Sequence, residues 1–190
     1  MTLHEILNTY HPLSDDTCAL LRECATIQTF RSRETIIRQG EHSSHFYFID
    51  SGLARFSYVH EGIEDTILFG TDGDVYVDLQ SYLYNEPALY SMICLDRTEV
   101  YAIPFADMHA ICGSRHDMTQ WMMEVCMNQL AVLEKKYAYF VDNDAESRYE
   151  NFISQRGLAH KVPVKYIAQY LNIAPETLSR IRSRRSKRKS

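Results

Sequence analysis

Much of what marks out membrane, secreted and catalytic proteins is missing from these 190 residues. No apolar run approaches the roughly 20 residues that cross a bilayer. The opening MTLHEILNTYHPLSDD has neither the basic nor the apolar region of a signal peptide. Both absences predict a soluble, cytoplasmic protein without a membrane partner. The five cysteines, Cys18, Cys24, Cys94, Cys112 and Cys126, are odd in number, widely spaced and include no C-x-x-C pair, so they read as free thiols rather than a disulfide framework. Only Cys18 and Cys24 are near one another, too few for a zinc or iron–sulfur centre, and neither metal nor cofactor is expected. There is no phosphate loop, no G-x-G-x-x-G and no G-x-S-x-G. A cupin-type metalloenzyme would place a compact His and Glu set on neighbouring strands, whereas His42, His45 and His60 form no H-x-H pair. Catalysis is not expected.

What is present is an uneven distribution of charge. From Lys161 onward there are nine Lys or Arg against the single acid Glu176, a local charge of +8 in a chain of net charge −5, which leaves −13 on residues 1–160. An acidic body with a basic end is the division expected of a nucleic-acid-binding protein. The stretch VKYIAQYLNIAPETLSRIR, residues 164–182, reads as two short helices at a tight turn. Ile167, Ala168 and Leu171 share one face of the first, while Lys165, Tyr166, Gln169 and Tyr170 fall largely elsewhere. After a break at Asn172 and Ile173, Pro175 suits a first helical position, where a missing N–H is no loss. Leu178 and Ile181 supply the second buried face, leaving Pro175, Glu176, Thr177, Ser179, Arg180 and Arg182 exposed. This is the layout of a helix-turn-helix, and the tail adds Arg184, Arg185, Lys187 and Arg188 as phosphate contacts.

Residues 1–25 read as one or two helices, with Leu3, Ile6 and Leu7 on one face and Cys18, Leu20, Leu21 and Cys24 on another, packing across an end of the next domain. From about Thr26 to Pro104 come short β-branched and aromatic runs, TIIRQ, HFYFID, LARFSYV, DTILFG, DVYVDL, YSMICL and TEVYAIP, punctuated by Gly40, Gly52, Gly62, Gly70 and Gly73. Runs at this spacing, with no helical stretch between them for crossovers, predict a jelly-roll or β-roll. Phe105–Ile111 reads as a short helix and His116–Val141 as a long one. Along the latter, Met123, Cys126, Leu130, Leu133, Tyr137 and Phe140 recur at steps of three and four, the seam of a two-helix coiled coil. Trp121, Met122, Val125 and Val132 form a second stripe. One stripe is expected to cover the β domain and the other to meet a second copy, giving a homodimer. Residues 142–161 continue as an amphipathic helix through Tyr149, Phe152 and Ile153, ending near Gly157. The fold class is thus α+β: a β-roll sensor domain over residues 1–115, a dimerisation helix over 116–141, and an all-α helix-turn-helix domain with a basic tail over 142–190.

In this order the chain resembles the Crp/Fnr family of bacterial transcription regulators over nearly its whole length. IIRQGEHSSHFYFIDSGLARFSYV looks like that family's β-roll opening, and ILFGTDGDVYVDLQSYLYNEPALYSMICLDRTEVYAIP looks like its ligand cassette. IAQYLNIAPETLSRI is closest, aligning Pro175, Glu176 and Arg180 with three base-contacting positions, of which the Glu and Arg match. The resemblance implies a homodimer on a two-fold symmetric site in double-stranded DNA, with RNA polymerase as a further candidate partner. It also departs. Family members that bind cyclic AMP carry Gly-Glu and Arg-Ser pairs in the cassette, where this sequence has Val77-Asp78 and Ala88-Leu89. A buried phosphate needs a charge-assisted partner, and the nearest arginine, Arg97, precedes a predicted strand. The resemblance therefore implies an effector other than a cyclic nucleotide, with Tyr76, Asp78, Leu79, Ala88, Leu89 and Tyr90 as pocket candidates and Tyr82 and Tyr84 as further aromatic lining. There is little room between Gly157 and Val164 for the β-hairpin wing common in this family, so the basic tail is expected to take over its phosphate contacts. The competing reading is a ligand-binding β-roll with sequence-independent affinity for nucleic acid.

Overall fold

The computed structural model describes residues 1–142, 144–154 and 158–189. The chain begins with two helices, α1 (Leu3–Tyr10) and α2 (Asp15–Cys24). Thr2 and Glu5 close the first turn of α1 reciprocally, each side chain accepting from the other's backbone N–H. Eight strands follow: β1 (Thr26–Phe30), β2 (Thr35–Ile37), β3 (His45–Ser51), β4 (Leu53–His60), β5 (Ile63–Thr71), β6 (Val75–Tyr76), β7 (Ser91–Cys94) and β8 (Thr98–Pro104). They form two antiparallel four-stranded sheets, ordered β1-β8-β3-β6 and β2-β7-β4-β5. The switch between sheets after β3 turns on Gly52, with φ +119 and a Cβ position only 2.6 Å from Thr98 Cα, so that no other residue fits.

Alternation along the strands divides the apolar side chains among three cores. Ile49, Ala54, Phe56, Met92, Val100 and Ala102 fill the space between the sheets. On the far side of the first sheet, Phe46, Phe48 and Ile103 meet α1, α2, α4 (Phe105–Ser114) and the N-terminal half of α5 (His116–Asp142). On the far side of the second, Leu53 and Phe69 meet the C-terminal helices α6 (Ala145–Ser154), α7 (Val164–Tyr170) and α8 (Pro175–Lys189). Trp121, the sole tryptophan, is fully buried where α5 crosses α1, and its indole N–H donates to the Leu7 carbonyl at 2.7 Å.

One expectation needs correction, and two elements were not foreseen. The run DVYVDL pairs only at Val75 and Tyr76; Asp78 then starts a helix, α3 (Leu79–Tyr84), by accepting from the Ser81 N–H. A local cap here overrides the β-branched pattern. Thr26–Phe30 is a strand, held along its length by β8 rather than by a pattern of its own. The basic tail is helical, since α8 continues through it to Lys189, as Arg- and Lys-rich sequence without Gly or Pro favours. Gly157, the expected end of α6, lies outside the described residues. Among the described residues no strand stands between α6 and α7, only a 3-10 turn at Leu158–His160.

The start of α5 is tied to the N-terminal helices by Asp117, which accepts from the Ser14 N–H and hydroxyl, the Thr17 hydroxyl and the Met118 N–H at 2.8–3.0 Å. Burial pushes its carboxyl up, but the bonds from Ser14, Thr17 and Met118 outweigh that and hold it at about 2. A depressed carboxylate stabilises the fold above its unfolded value and loses that contribution as pH falls through the folded one. Asp117→Asn should cost about 1 kcal/mol at pH 6, a charge-assisted bond discounted for partial exposure. In denaturant titrations followed by Trp121 fluorescence, the gap to wild type should close between pH 4 and 2; an undiminished gap there would contradict this role.

Candidate nucleic-acid interface

The C-terminal helices share one core, which Leu53 and Phe69 of the β-roll join. Ile167 and Ala168 of α7, Leu171 at its C-terminal cap, and Leu178 and Ile181 of α8 are all buried with Tyr149, Phe152, Leu158 and Val162. The turn between α7 and α8 is made by Asn172 at φ +51, with the Ile173 N–H donating back to the Ala168 carbonyl. Pro175 opens α8, and the Leu178 N–H reaches the Ala174 carbonyl across its first turn.

With Leu178 and Ile181 turned inward, the opposite face of α8 is open. Pro175, Glu176, Ser179, Arg180, Arg182 and Arg184 are exposed, and Thr177 is half-buried. Arg180 donates to the Thr177 hydroxyl at 3.3 Å, which aligns its guanidinium along the helix. Arg184 continues the same line one turn on, since i, i+4 and i+8 share a face. Arg185 is placed differently: it is half-buried and paired with Glu150 of α6, which bolts α8 to its own domain. The side chains of Lys187 and Arg188 lie outside the described residues.

Along α5 the two stripes separate. Met118, Trp121 and Val125 are buried and Met122 packs against them, whereas Val132, expected with this group, is exposed. Of the predicted seam, Met123, Cys126, Leu130, Leu133 and Tyr137 are all exposed, Tyr137 to 74%. Phe140 differs, being half-buried within its own chain between Lys136 and Arg148.

The cassette candidates divide as well. Tyr76 is turned into the roll and packs on Phe56, ring centroids 4.3 Å apart and planes tilted by 43°, and burial raises its hydroxyl pKa. Ala88 is buried in the same core, and its backbone bonds to Gly40 and Glu41. Asp78 is buried but spent on capping α3, while Tyr90 stands edge-on to Tyr58. Leu79 and Leu89 face outward, because a helix rather than a strand begins at Leu79. Tyr84 is also exposed, and Tyr82 packs between Phe46 and Phe105 outside the roll. Arg97 projects into solvent. Among the described residues no group of three or more His, Cys, Asp or Glu could hold a metal, and no helix is long and apolar enough to cross a membrane.

One set of residues escaped the sequence reading. Tyr166, Gln169 and Tyr170, at the edge of that core, lie against β4, β5 and α5. The Arg55 guanidinium sits 4.0 Å from the Tyr166 ring centre, and Lys136 Nζ 4.5 Å from that of Tyr170. Gln169 donates to the Glu64 carbonyl at 2.6 Å and accepts from the Thr66 hydroxyl at 2.8 Å. The signal was an arginine inside the apolar strand LARFSYV, facing opposite Ala54 and Phe56.

Residues 27–115 match the family model described as a cyclic nucleotide-binding domain. No match was found among curated protein sequences. Among solved structures, FixK2 from Bradyrhizobium japonicum superposes with TM-score 0.75 at 19% identity, covering 86% of this chain and 85% of that one. A CooA mutant from Carboxydothermus hydrogenoformans gives 0.74 at 16%, covering 98% and 85%. The c-di-GMP responsive global regulator CLP from Xanthomonas campestris gives 0.72 at 12%, covering 92% of each chain. With its β-roll matched by sequence and its full architecture matched by structure, this chain has the Crp/Fnr fold, a cyclic nucleotide-binding-type domain joined through a long helix to a helix-turn-helix.

Proposed function

We propose that the chain is a transcription regulator that reads a two-fold symmetric site in double-stranded DNA as a homodimer. The observation that carries this reading is the open face of α8, where Glu176 and Arg180 stand one turn apart and Arg184 extends the line into the basic run. In a helix-turn-helix the N-terminal part of the second helix meets base edges. Arg180 can donate two bonds to a guanine and Glu176 can accept one from a cytosine amino group. Arg182, Arg184 and the residues beyond are suited to phosphates, which look alike in every sequence. The acid in the first turn of α8 is also favoured by the helix dipole, so Arg180 is the more diagnostic of the pair.

The homodimer rests on α5. It is 27 residues long, about 40 Å, and beyond Val125 its described side chains are exposed apart from Gln129, Lys136 and Phe140. Met127 at 62%, Leu130 at 61% and Leu133 at 59% leave an apolar stripe that a second α5 would cover by knobs-into-holes packing. As to the effector, Tyr76 on Phe56 occupies the interior of the roll and Asp78 supplies the anion at the start of α3. That arrangement favours an effector other than a cyclic nucleotide, or none, and CLP's response to c-di-GMP belongs to that protein. RNA polymerase is the natural further partner of a regulator of this kind.

Selecting bound duplexes from a random pool tests the proposal, which expects a two-fold symmetric consensus; equal recovery of all sequences would leave only sequence-independent adhesion. On the selected duplex, Arg180→Ala should cost about 1–3 kcal/mol and relax the base choice at one position in each half-site. Arg184→Ala should weaken specific and random DNA alike and lower the log–log salt slope by about 0.9 for each phosphate it no longer neutralises. Equal weakening on all duplexes by Arg180→Ala would move the reading face elsewhere. In sedimentation, Leu130→Asp with Leu133→Asp should halve the particle mass, since the paired stripe cannot solvate a charge; an unchanged mass would exclude α5 as the interface. Calorimetry with cyclic AMP or cyclic GMP should show no saturable heat, and micromolar binding would refute the occupied interior.

A further inference from the structure

We infer that Arg55, Lys136 and Gln169 are positioning residues for DNA recognition: they fix α7 between the β-roll and the long helix, and so set the half-site spacing that two copies of α8 can read. This rests on the DNA-binding reading above and adds to it the contacts that join the helix-turn-helix to β4, β5 and α5.

The three residues act on one face of one helix. Tyr166, Gln169 and Tyr170 stand at i, i+3 and i+4 and therefore project together. Arg55, only 3% exposed, donates to the Thr66 hydroxyl at 3.2 Å and to the Glu64 carboxylate at 2.5 Å, which leaves its planar group flat beneath Tyr166. Gln169 takes up the neighbouring polar groups of β5, the Glu64 carbonyl and the Thr66 hydroxyl. Lys136 donates to the Ile67 carbonyl and lies over Tyr170, whose ring also meets Phe69 and Phe152. Three separate stretches of the protein, β4–β5, α5 and α7, thus converge within one turn of helix.

A contact that only covered apolar surface would be made of apolar side chains. Here, beside the apolar contact of Leu53 and Phe69, two cations are withdrawn from water, at a cost: burial holds the Lys136 ammonium at about 8, well below its usual range, and Arg55 Nε has no partner among the described residues. Buried ionic groups of this kind are often no more stabilising than apolar replacements of like volume, and their return is directional. The direction matters because of what each end holds. Lys136 belongs to α5, whose exposed stripe faces the proposed second copy, while α7 shares its core with α8, so a shift of α7 carries α8 with it. The separation of the two reading helices is therefore transmitted through Lys136 and Arg55. In this position the reading face is exposed, so the contact holds a form that can engage DNA rather than one that hides it.

The test uses the full-length chain carrying Arg55→Met and Lys136→Met together, substitutions that keep length and remove charge, alongside Lys136→Arg with Arg55 retained. Probes are the selected symmetric duplex, versions with one or two base pairs added or removed between half-sites, and a duplex with a single half-site. Each added pair turns the second half-site by about 36° about the axis. Wild type should lose affinity about tenfold or more on altered spacings. The double Met variant should distinguish them by less than about threefold while binding the single half-site within twofold of wild type, and Lys136→Arg should restore most of the discrimination. Amide exchange without DNA should be faster in β5 at Glu64–Phe69 in the double variant, with α7 and α8 still protected. A double variant that keeps the wild-type spacing preference, or unchanged exchange in β5, would overturn the inference alone. A wild type that selects no duplex would remove the DNA-binding reading itself, and the inference with it.

Discussion

The seven residues of α7 are engaged on two sides at once. Ile167 and Ala168, with Leu171 at the cap, belong to the helix-turn-helix core, and Tyr166, Gln169 and Tyr170 to the boundary with β4, β5 and α5. A short helix is marginal by itself and takes its stability from packing, so holding both faces decides where it sits. The placement of α8, the exposure of Arg180 and the reach of the basic run all follow from that.

The β-roll has been adapted to the same end. Along β4, Ala54 and Phe56 point into the interior, while Leu53 and Arg55 point outward beneath the C-terminal helices. One strand thereby joins the inside of the β-roll to the underside of the helix-turn-helix. The interior is occupied by Tyr76 on Phe56, and the cassette helix α3 is closed by Asp78. A ligand entering this roll would have to displace a packed aromatic pair rather than fill an empty phosphate site, and β4, which carries Phe56, would feel that displacement directly.

The long helix, the roll and the helix-turn-helix were legible because each has a strong period: three and four along α5, two along β3 to β5, and the Ile167–Leu171, Leu178–Ile181 pairs across a turn. What was not legible depended on partners far away in sequence. β1 carries no alternation strong enough to be seen and is a strand only because β8 pairs with it. α3 was hidden by β-branched neighbours, although Asp78 three residues before Ser81 is a helix-start signal. The basic run could be recognised for its charge but not for its helicity, and nothing local indicated that Arg185 would turn back to Glu150, 35 residues away. The joint at Tyr166 and Tyr170 depends on Arg55 and Lys136, contributed by two other elements. A single sequence shows such residues only as an arginine out of place in a strand and two tyrosines on a helix face.

The proposed reading of DNA depends most on two copies of α8 lying against one face of the same duplex. Hydroxyl-radical footprinting on the selected duplex measures this directly. Two protected stretches related by symmetry, on one face and centred about one helical turn apart, near 34 Å, are expected. A single protected stretch without symmetry, or protection indifferent to the sequence of the duplex, would contradict it.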